Sequence, residues 1–368
     1  MFAQPQVPKN SAIHLVSEPT LFPDVSAKPK KKLIRRTDAD RSQRVRRIVQ
    51  FAFVALNIYL GIQFFAWVRF FETSGASRYA SRPAGVEGWL PIAALMNLKY
   101  LLLTGTVPGV HPAGMFLLIA FLAMSLLFRK SFCSWLCPVG TLSEYLWKLG
   151  RRTFRRNFSL PCWLDVPLRG LKYVLLALFV YVIVRMDADA IAGFLTSPYG
   201  LIADVKMLNF FRFMSETAAI TVGVLAIFSI FIQNFWCRFL CPYGALMGLT
   251  ALFSPAKIRR NESACIDCAK CAKACPSMLP VDKLVQIRSV ECTACLECVA
   301  VCPAKDALAF EMPRKTRLSP TAIAAAIAIL FLGLVAYAKM TGHWDTNIPR
   351  AVYMQLVPGA NEATHPGL

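Results

Sequence analysis

Residues 265–276 read CIDCAKCAKACP and residues 292–303 read CTACLECVAVCP, and these two segments determine the structure of the central part of the chain. Each spaces its cysteines as Cys-x2-Cys-x2-Cys-x3-Cys and places proline directly after the fourth cysteine. Cysteines this dense, in a long chain without the layout of a secreted disulfide protein, indicate metal or cluster ligands. The surrounding segment 254–313 is polar and short, so bound groups are expected to stabilise it in place of a large apolar core.

The spacing matches that of bacterial ferredoxins with two [4Fe–4S] clusters, in which three close thiolates bind one cluster and the fourth binds the other. The predicted ligands of the first cluster are Cys265, Cys268, Cys271 and Cys302. The predicted ligands of the second cluster are Cys292, Cys295, Cys298 and Cys275. Structural zinc is the alternative, because paired Cys-x2-Cys segments also bind zinc. Two identical patterns, each followed by proline, favour two clusters.

A second cysteine motif occurs twice. Residues 132–142 read FCSWLCPVGTL (the first copy) and residues 236–246 read WCRFLCPYGAL (the second copy), so Cys-x3-Cys-Pro recurs 104 positions later. Two cysteines four residues apart lie on one face of a helix, where they can share a metal ion, cluster or redox reaction. Thiolates suit copper(I), zinc and iron–sulfur clusters alike, and small buried residues at a duplicated corner are the alternative. The candidates for this additional site are Cys133, Cys137, Cys237 and Cys241.

Apolar runs make up much of the remaining sequence. The chain is 56% hydrophobic with a mean hydropathy of +0.48, which is typical of a membrane protein. A helix needs about 20 apolar residues to cross the bilayer core. The predicted spans are 48–68, 110–128, 171–184, 217–236 and 320–338. The run 89–107 contains Pro91, Asn97 and Lys99 and is predicted to be interfacial or re-entrant. Lys172, in the third span, is expected to extend its ammonium to the headgroups.

Basic residues are distributed unevenly around these spans. Lys and Arg outnumber Asp and Glu by 41 to 21, and most of them lie in segments 1–47, 129–170 and 237–319. Positive residues concentrate in the cytoplasmic loops of membrane proteins. The N-terminus and the cysteine-rich segment are therefore predicted to be cytoplasmic, and the C-terminus periplasmic, in a bacterial inner membrane. Topology and contact with membrane lipid account for the formal charge of +20, so no nucleic-acid partner is expected.

The predicted fold class is mainly α: a polytopic membrane helical bundle of about five transmembrane helices in two parallel repeats, with an inserted two-cluster ferredoxin domain of the α+β type. The repeats are parallel because each begins inside, crosses outward and back, and ends in Cys-x3-Cys-Pro. The predicted domains are a basic cytoplasmic tail (1–47), a four-helix membrane domain (48–253), a two-cluster ferredoxin domain (254–313), a fifth transmembrane helix (314–340) and a periplasmic tail (341–368).

Signatures of other cofactors are missing from the sequence. Its four histidines do not supply paired ligands within the spans, and Cys-x2-Cys-His does not occur, so no haem is expected. No P-loop or dinucleotide fingerprint occurs, so no nucleotide cofactor is expected either. No side chain is indicated as catalytic. Cys162 stands apart from both motifs and is expected to be a free thiol.

Two spans that end in the segments 132–140 and 236–244, followed by two ferredoxin segments, resemble the NapH-type membrane polyferredoxins. The resemblance implies an inner-membrane protein that passes electrons between the quinone pool and an unidentified redox protein through cytoplasmic clusters. Such a chain would be an electron carrier or a quinol dehydrogenase component and not a stand-alone enzyme. The apolar outer segments 89–100 and 201–211 are candidates for the quinol cleft.

Two other functions remain open at this stage. The first is a copper or iron reductase, or an assembly factor for a membrane redox enzyme, in which the four Cys-x3-Cys-Pro thiols bind the metal. The second is a redox sensor that signals its cluster state to a partner. The chain lacks the outer flavin-binding domain and the large C-terminal domain of some relatives and adds a fifth span, so the partners of those relatives are not carried over.

Overall fold

The computed structural model describes residues 33–37, 40–155, 158 and 160–366, without the side chain of Cys162. Most of the predicted basic tail and the expectation for the Cys162 thiol therefore lie outside the described residues. Within them the chain forms α1 (Ser42–Glu72), α2 (Pro91–Thr104), α3 (Pro112–Phe128), α4 (Ser131–Trp135), α5 (Pro138–Phe154), α6 (Cys162–Arg185), α7 (Ala188–Thr196), α8 (Pro198–Leu201), α9 (Ala203–Arg212), α10 (Glu216–Phe231), α11 (Pro242–Thr250), β1 (Lys257–Arg260), α12 (Lys270–Ala274), α13 (Glu297–Ala300), β2 (Leu308–Glu311), α14 (Pro320–Met340) and α15 (Arg350–Leu356). Shorter helical turns cover Ala84–Trp89, Trp236–Leu240, Ala251–Phe253 and Pro313–Lys315.

Three of these helices are long and apolar enough to cross a membrane: α1, α6 over Trp163–Arg185, and α14. They contain the predicted spans 48–68, 171–184 and 320–338. Helices α9 and α10 pass the same test together but bend by 80° between them, as a broken span or a re-entrant pair would. Helix α3 has 17 residues, or about 26 Å at 1.5 Å per residue, which is less than a bilayer core of about 30 Å. The number of five spans stays a prediction.

Local sequence explains where many helices begin. Proline occupies the start of α2, α3, α5, α11 and α14, where its missing N–H would have had no helical acceptor. Ser215 and Ser319 cap α10 and α14, because their hydroxyls accept the backbone N–H groups of Ala218 and Ala322. The segment 89–107 contains α2, a short apolar helix that packs against α3.

The cysteine-rich segment folds around a two-stranded antiparallel sheet. β1 precedes the first ferredoxin segment and β2 follows the second, and they pair in a register that joins Ile258 to Phe310. These two side chains are buried while their strand neighbours are partly exposed, as the alternation of a strand requires. Together with α12 and α13, the sheet gives this ferredoxin unit the predicted α+β character.

Helix α3 lies at the centre of the membrane helices. Nearly every residue from Pro112 to Phe121 is buried, and α2, α11 and α14 pack around it. One apolar cluster continues from Phe121 through Trp135 to Ile258 and Leu296 of the ferredoxin unit. Since packed interiors transmit strain, this continuous core holds the ferredoxin unit at a fixed position against the helices.

The expectation that Lys172 extends to the headgroups is wrong. Lys172 is fully buried in α6, and its ammonium lies 2.5 Å from the carboxylate of Glu291 in the ferredoxin unit. A buried cation is costly unless it is paired, and the partner here comes from a distant part of the chain. Lys172 therefore joins a membrane helix to the cysteine-rich unit.

Candidate functional site

The two ferredoxin segments bend their backbones in the same way. The residues two and four positions after the first cysteine have left-handed φ angles, namely 54° and 55° at Asp267 and Ala269, and 49° and 60° at Ala294 and Leu296. Residues other than glycine rarely adopt positive φ, so its recurrence at equal offsets marks one specific loop shape. Successive N–H groups in such turns form concave nests that bind anionic groups, iron–sulfur clusters among them.

Four cysteines drawn from both ferredoxin segments line one small cavity. Cys275 of the first segment joins Cys292, Cys295 and Cys298 of the second around a volume of about 20 Å³, which we name the second-cluster cavity. Its remaining walls are mainly apolar, with Ile258 of β1 among them. Burial raises the pKa of Cys295 to about 12, so ligation must displace a proton that the thiol otherwise keeps. These four are the residues predicted to bind the second cluster.

The other four ferredoxin cysteines lie nearer the surface. Cys271 is buried in α12, Cys265 and Cys302 are half-buried, and Cys268 is exposed. Burial raises the pKa of Cys302, and the neighbouring thiols of Cys268 and Cys265 raise it further. Helix α12, which contains Cys271, packs against α13, which ends two residues before Cys302, so the two segments approach each other as the predicted exchange of the fourth ligand requires.

The donor sets fit iron–sulfur clusters. A cubane binds its thiolates at separate irons, so four ligands surround the group and do not meet at one point. Among the residues that the structure describes, no three His, Cys, Asp or Glu side chains converge as the ligands of a single ion would. The nests and thiols of the two segments would hold a cluster each, and a bound cluster supplies a one-electron redox centre.

The two Cys-x3-Cys-Pro copies bring their cysteines to a common cavity of about 70 Å³, the thiol cavity. In each copy the second cysteine caps a helix: Cys137 Sγ accepts the N–H of Gly140 at 3.4 Å, and Cys241 Sγ accepts that of Gly244 at 3.2 Å. The two sulfurs therefore lie at the N-terminal ends of α5 and α11. The thiols that line the cavity are Cys133, Cys137, Cys237 and Cys241.

Burial dominates the chemistry of these four thiols. It raises the pKa of Cys133 to about 11 and that of Cys137 to about 12, and it raises the pKa of Cys237 and Cys241 in the same direction. The thiols are therefore protonated at neutral pH until a bound metal or cluster displaces the protons. Four buried thiols that line one cavity offer soft ligands to a cluster, although no three of them converge closely enough in this structure to bind a single ion.

A buried ion pair supports the first copy. Arg46 of α1 is 1% exposed and donates to both carboxylate oxygens of Glu144, at 2.7 and 2.6 Å. Burial would raise the pKa of Glu144, but the hydrogen bonds and charge of Arg46, with the charge of Lys148, lower it to about 2. Arg46 also lies 3.1 Å from Glu297, which precedes Cys298. The pair links α1, α5 and the ferredoxin unit.

A second buried group of charges surrounds Glu291, the residue before Cys292. The carboxylate of Glu291 lies 2.5 Å from Lys172 and 3.6 Å from Lys130. Burial would raise the pKa of Glu291, but Lys130 and Lys172 lower it. Cations from the membrane helices thus hold the start of the second ferredoxin segment beside the thiol cavity, which Lys130 and Glu291 also line.

A larger apolar space, the membrane cavity, adjoins the thiol cavity. It has a volume of about 700 Å³ and lies between α1, α3 and α14. Cys137 and Cys241 line both this cavity and the thiol cavity. Its apolar walls include Phe53, Leu60, Phe121, Phe331 and Val335.

The three cavities adjoin one another in a row. The membrane cavity and the thiol cavity share Cys137 and Cys241, and the thiol cavity and the second-cluster cavity share Pro276 and Cys295. The thiol cavity and the second-cluster cavity are therefore adjoining sites, and the thiol cavity also adjoins the membrane cavity. The first-cluster cysteines belong to the same ferredoxin unit, and Cys268 among them is exposed.

The sequence did not predict the buried ion pairs of the site or most of the residues that line the membrane cavity. Of the two candidate quinol segments, 89–100 contributes Trp89 and Pro91 to that cavity, whereas 201–211, fully described, contributes nothing. A charged residue at the start of an apolar run, such as Arg46, was the available signal for a buried pair. Its partner could not be named, because Glu144 lies 98 residues away in the chain.

Comparison with known proteins shows the family to which this chain belongs. The family described as "4Fe-4S binding domain" matches residues 110–157 and 217–261, each with one Cys-x3-Cys-Pro copy, and "4Fe-4S dicluster domain" matches residues 257–303. The chain is 51% identical to "Putative electron transport protein YccM" of Escherichia coli (strain K12), over 87% of this chain and 91% of that protein.

Two more distant relatives share part of the chain. "Ferredoxin-type protein NapH" of Escherichia coli (strain K12) is 26% identical over 47% of this chain and 59% of that protein. "Protein NirI" of Paracoccus denitrificans (strain Pd 1222) is 30% identical over 59% of this chain and 32% of that protein. No solved structure matches. With its 4Fe-4S domains and membrane-spanning helices, the chain belongs to the YccM-like family of membrane iron–sulfur electron-transport proteins, to which NapH is related.

Proposed function

We propose that this chain relays electrons between the quinone pool of a bacterial inner membrane and an unidentified redox protein, through two [4Fe–4S] clusters. The observation that carries the proposal is the row of adjoining sites. The thiol cavity shares lining residues with both the membrane cavity and the second-cluster cavity, and the ferredoxin unit also carries the first-cluster cysteines, with Cys268 exposed. This row of sites would connect a lipid-soluble reductant in the membrane cavity to a protein that docks on the ferredoxin unit.

The two cluster sites differ in burial, which supports different roles: the second cluster would exchange electrons with the quinone, and the first would exchange them with the protein partner. The second-cluster site contains the buried Cys292 and Cys298, is enclosed by residues of the ferredoxin unit, and adjoins the thiol cavity. The first-cluster site contains Cys268, which is exposed and can approach a docked protein. A quinol that becomes a quinone releases two electrons, one for each [4Fe–4S] cluster, and two hydroxyl protons, which go to water. The reverse sequence reduces a quinone.

The distribution of charge supports an orientation. The ferredoxin unit packs against the start of α1 and precedes α14, so these two candidate spans leave it on the same side of the membrane. Because that side carries the basic segments, the proposal places the ferredoxin unit in the cytoplasm and the end of α14, at Met340, toward the periplasm.

Four thiols around one cavity favour a second candidate function, the handling of a copper or iron ion. In this function the thiol cavity binds the ion and the clusters supply the electron that reduces it, from copper(II) to copper(I) or from iron(III) to iron(II). Soft thiolates suit the reduced copper ion in particular. The two functions predict different metal contents. Metal handling requires a stoichiometric metal ion in addition to the iron of the clusters, and replacing the thiols of the thiol cavity should remove that ion.

The proposal is tested by iron and acid-labile sulfide analysis with low-temperature EPR on anaerobically purified protein. About eight irons, four for each cubane, are expected, with EPR signals that appear when menadiol is added as the quinol. Clusters that dithionite reduces but menadiol does not would overturn the quinone part of the proposal. Fewer than eight irons together with bound zinc would overturn the cluster assignment.

Cysteine variants separate the sites. Cys275→Ser should remove the second cluster and leave about four irons. Cys237→Ser should keep all eight, and loss of an additional copper or iron ion from this variant would favour metal handling. Cys162→Ser, outside both motifs, is the matched control and should change none of these values.

A further inference from the structure

The two Cys-x3-Cys-Pro copies differ at two positions that face the membrane cavity. Phe132 and Val139 of the first copy correspond to Trp236 and Tyr243 of the second, and all four residues line this cavity. The second copy thus presents an indole N–H and a phenol O–H where the first presents apolar groups. Neither group donates a hydrogen bond to another residue that the structure describes. Two hydrogen-bond donors are therefore available at the thiol end of the cavity.

Aromatic rings surround the same end. Phe121 and Phe132 stack with their centroids 3.9 Å apart, and Tyr243 meets them edge-on at 6.3 and 6.0 Å. Phe331 of α14 lies parallel to Phe121 at 6.2 Å. A planar aromatic ligand would find both ring faces and ring edges here, which are the arrangements that aromatic pairs prefer.

The rest of the cavity suits a long apolar chain. It follows α1 from Phe53 to Gln63, which is about 15 Å at 1.5 Å per residue. Its walls there are Leu, Phe and Val side chains of α1, α3 and α14. The volume of about 700 Å³ falls in the range of ordinary small-molecule sites, about 300–1,000 Å³.

The positions of the charges select one occupant. The charged residues that line the cavity are Arg82, Lys339 and Asp345, and all three lie at the end away from the thiols. An anionic phospholipid would place its phosphate at that end, far from Cys137 and Cys241. A neutral ring with two oxygen atoms fits the thiol end, where two donors and no charges line the wall. The chemistry points to a ring that is both uncharged and redox-active.

We propose that the membrane cavity binds a quinone or quinol with its ring at the thiol end, where Trp236 and Tyr243 donate hydrogen bonds to the two ring oxygens and the isoprenoid chain extends toward Gln63. This inference rests on the proposed function and locates its substrate. Oxidation of the bound quinol sends two electrons to the clusters, one to each, while its two hydroxyl protons leave to water. The ring lies beside Cys137 and Cys241, the start of the row of thiols.

The test measures quinol-driven cluster reduction in the anaerobic holoprotein in nanodiscs. The variants are Trp236→Phe and Tyr243→Phe, which remove one donor each and keep the ring. Each should raise the KM for menadiol about fivefold, because one neutral hydrogen bond is lost, and the double variant should raise it further. Iron content and reduction by dithionite should stay unchanged. Tyr181→Phe, at an exposed tyrosine of α6 that does not line the membrane cavity, is the matched control and should leave the KM unchanged.

Other results would overturn the inference. A raised KM in a Gln63→Leu variant, with unchanged values in the Trp236 and Tyr243 variants, would place the quinol ring at the end of the cavity away from the thiols. Unchanged values in all variants, while wild-type clusters are reduced, would show that the quinol binds elsewhere.

A second measurement keeps this inference separate from the proposed function. An azido-naphthoquinone photolabel, with the modified peptide found by mass spectrometry, should label the segment 236–243 and be displaced by menadione. Labelling without cluster reduction would support the site and reject the relay. Displacement by phosphatidylglycerol but not by menadione would show that the cavity is a lipid site.

Discussion

The two Cys-x3-Cys-Pro copies keep the same thiols but differ in what surrounds them. In the first copy, Ser134 Oγ donates to the backbone carbonyl of Thr293 at 2.6 Å and Trp135 Nε1 donates to that of Ala294 at 3.0 Å. These acceptors lie between Cys292 and Cys295, inside the loop of the second ferredoxin segment. The first copy therefore attaches the cluster loop to the membrane helices.

The second copy has a different environment. Arg238, at the position of Ser134, forms an ion pair with Asp165 of α6 at 2.7 Å and lies 3.0 Å from Met278 Sδ. Its helical turn Trp236–Leu240 has π-helical hydrogen bonds, whereas the first copy has an ordinary α-helical turn. The comparison shows that the two copies of a duplicated motif can have different roles. The first copy holds the loop of the second ferredoxin segment in place, and the second copy presents polar groups to the membrane cavity.

The largest expected difference between the copies concerns their buried cations. Arg46→Met should destabilise the protein by about 3–5 kcal/mol, because it leaves Glu144 buried without its bidentate partner. Arg238→Met should cost less, because Arg238 forms a single ion pair, with Asp165, whereas Arg46 makes two hydrogen bonds to Glu144 and also contacts Glu297. Thermal unfolding of both variants in the same detergent checks this order. Equal shifts would mean that the two copies are supported to the same degree.

The second-largest expected difference between the copies is in the pH dependence of the stability that each contributes. Glu144 lies two residues after the first copy, and the aligned position after the second copy is Gly248. The pKa of Glu144 is lowered from 4.5 to about 2, so its stabilisation is complete above pH 4.5 and is lost as the pH falls toward 2. At 1.36 kcal/mol per pKa unit, this amounts to about 3 kcal/mol. The difference in Tm between the wild type and Glu144→Gln should shrink over this range, and a constant difference would contradict the prediction.

A smaller effect is expected from the two glycines that follow the motifs. A Cβ at Gly140 would lie 2.2 Å from the backbone oxygen of Cys133, whereas a Cβ at Gly244 would have no neighbour closer than 3.6 Å. Gly140→Ala should therefore destabilise the protein by about 1–3 kcal/mol through overpacking. Gly244→Ala, the matched control, should be neutral or slightly stabilising because alanine favours the helix. Similar losses in the two variants would show that the second corner is as tightly packed as the first.

The sequence predicts those features that depend on residues close together in the chain. The cysteine spacing of 265–276 and 292–303 identifies the ferredoxin segments, because a loop around a cluster is a local structure. The apolar runs 48–68 and 320–338 identify α1 and α14, because length and composition suffice to recognise a candidate span.

Features that depend on distant residues could not be predicted in this way. The buried pair of Lys172 and Glu291 joins residues 119 positions apart, so the sequence of α6 alone indicates only a costly lysine. The membrane cavity needs α1 from one end of the chain and α14 from the other. Likewise, Cys133 and Cys237 line one cavity although they are 104 positions apart, and the spacing of the motifs could suggest a shared site without showing its walls.

The smallest predicted effect tests the attachment of the cluster loop directly. Ser134→Ala removes the hydrogen bond to Thr293 and should cost about 1 kcal/mol, the net value of a typical buried hydrogen bond. Because Thr293 lies next to Cys292, the same change should alter the EPR line shape of the second cluster and leave the first cluster unaffected. Ser143→Ala, at a buried serine of α5 that contacts Asn234, is the control and should alter neither signal. A change confined to the first cluster would contradict both the attachment through the first copy and the assignment of Cys292 to the second cluster.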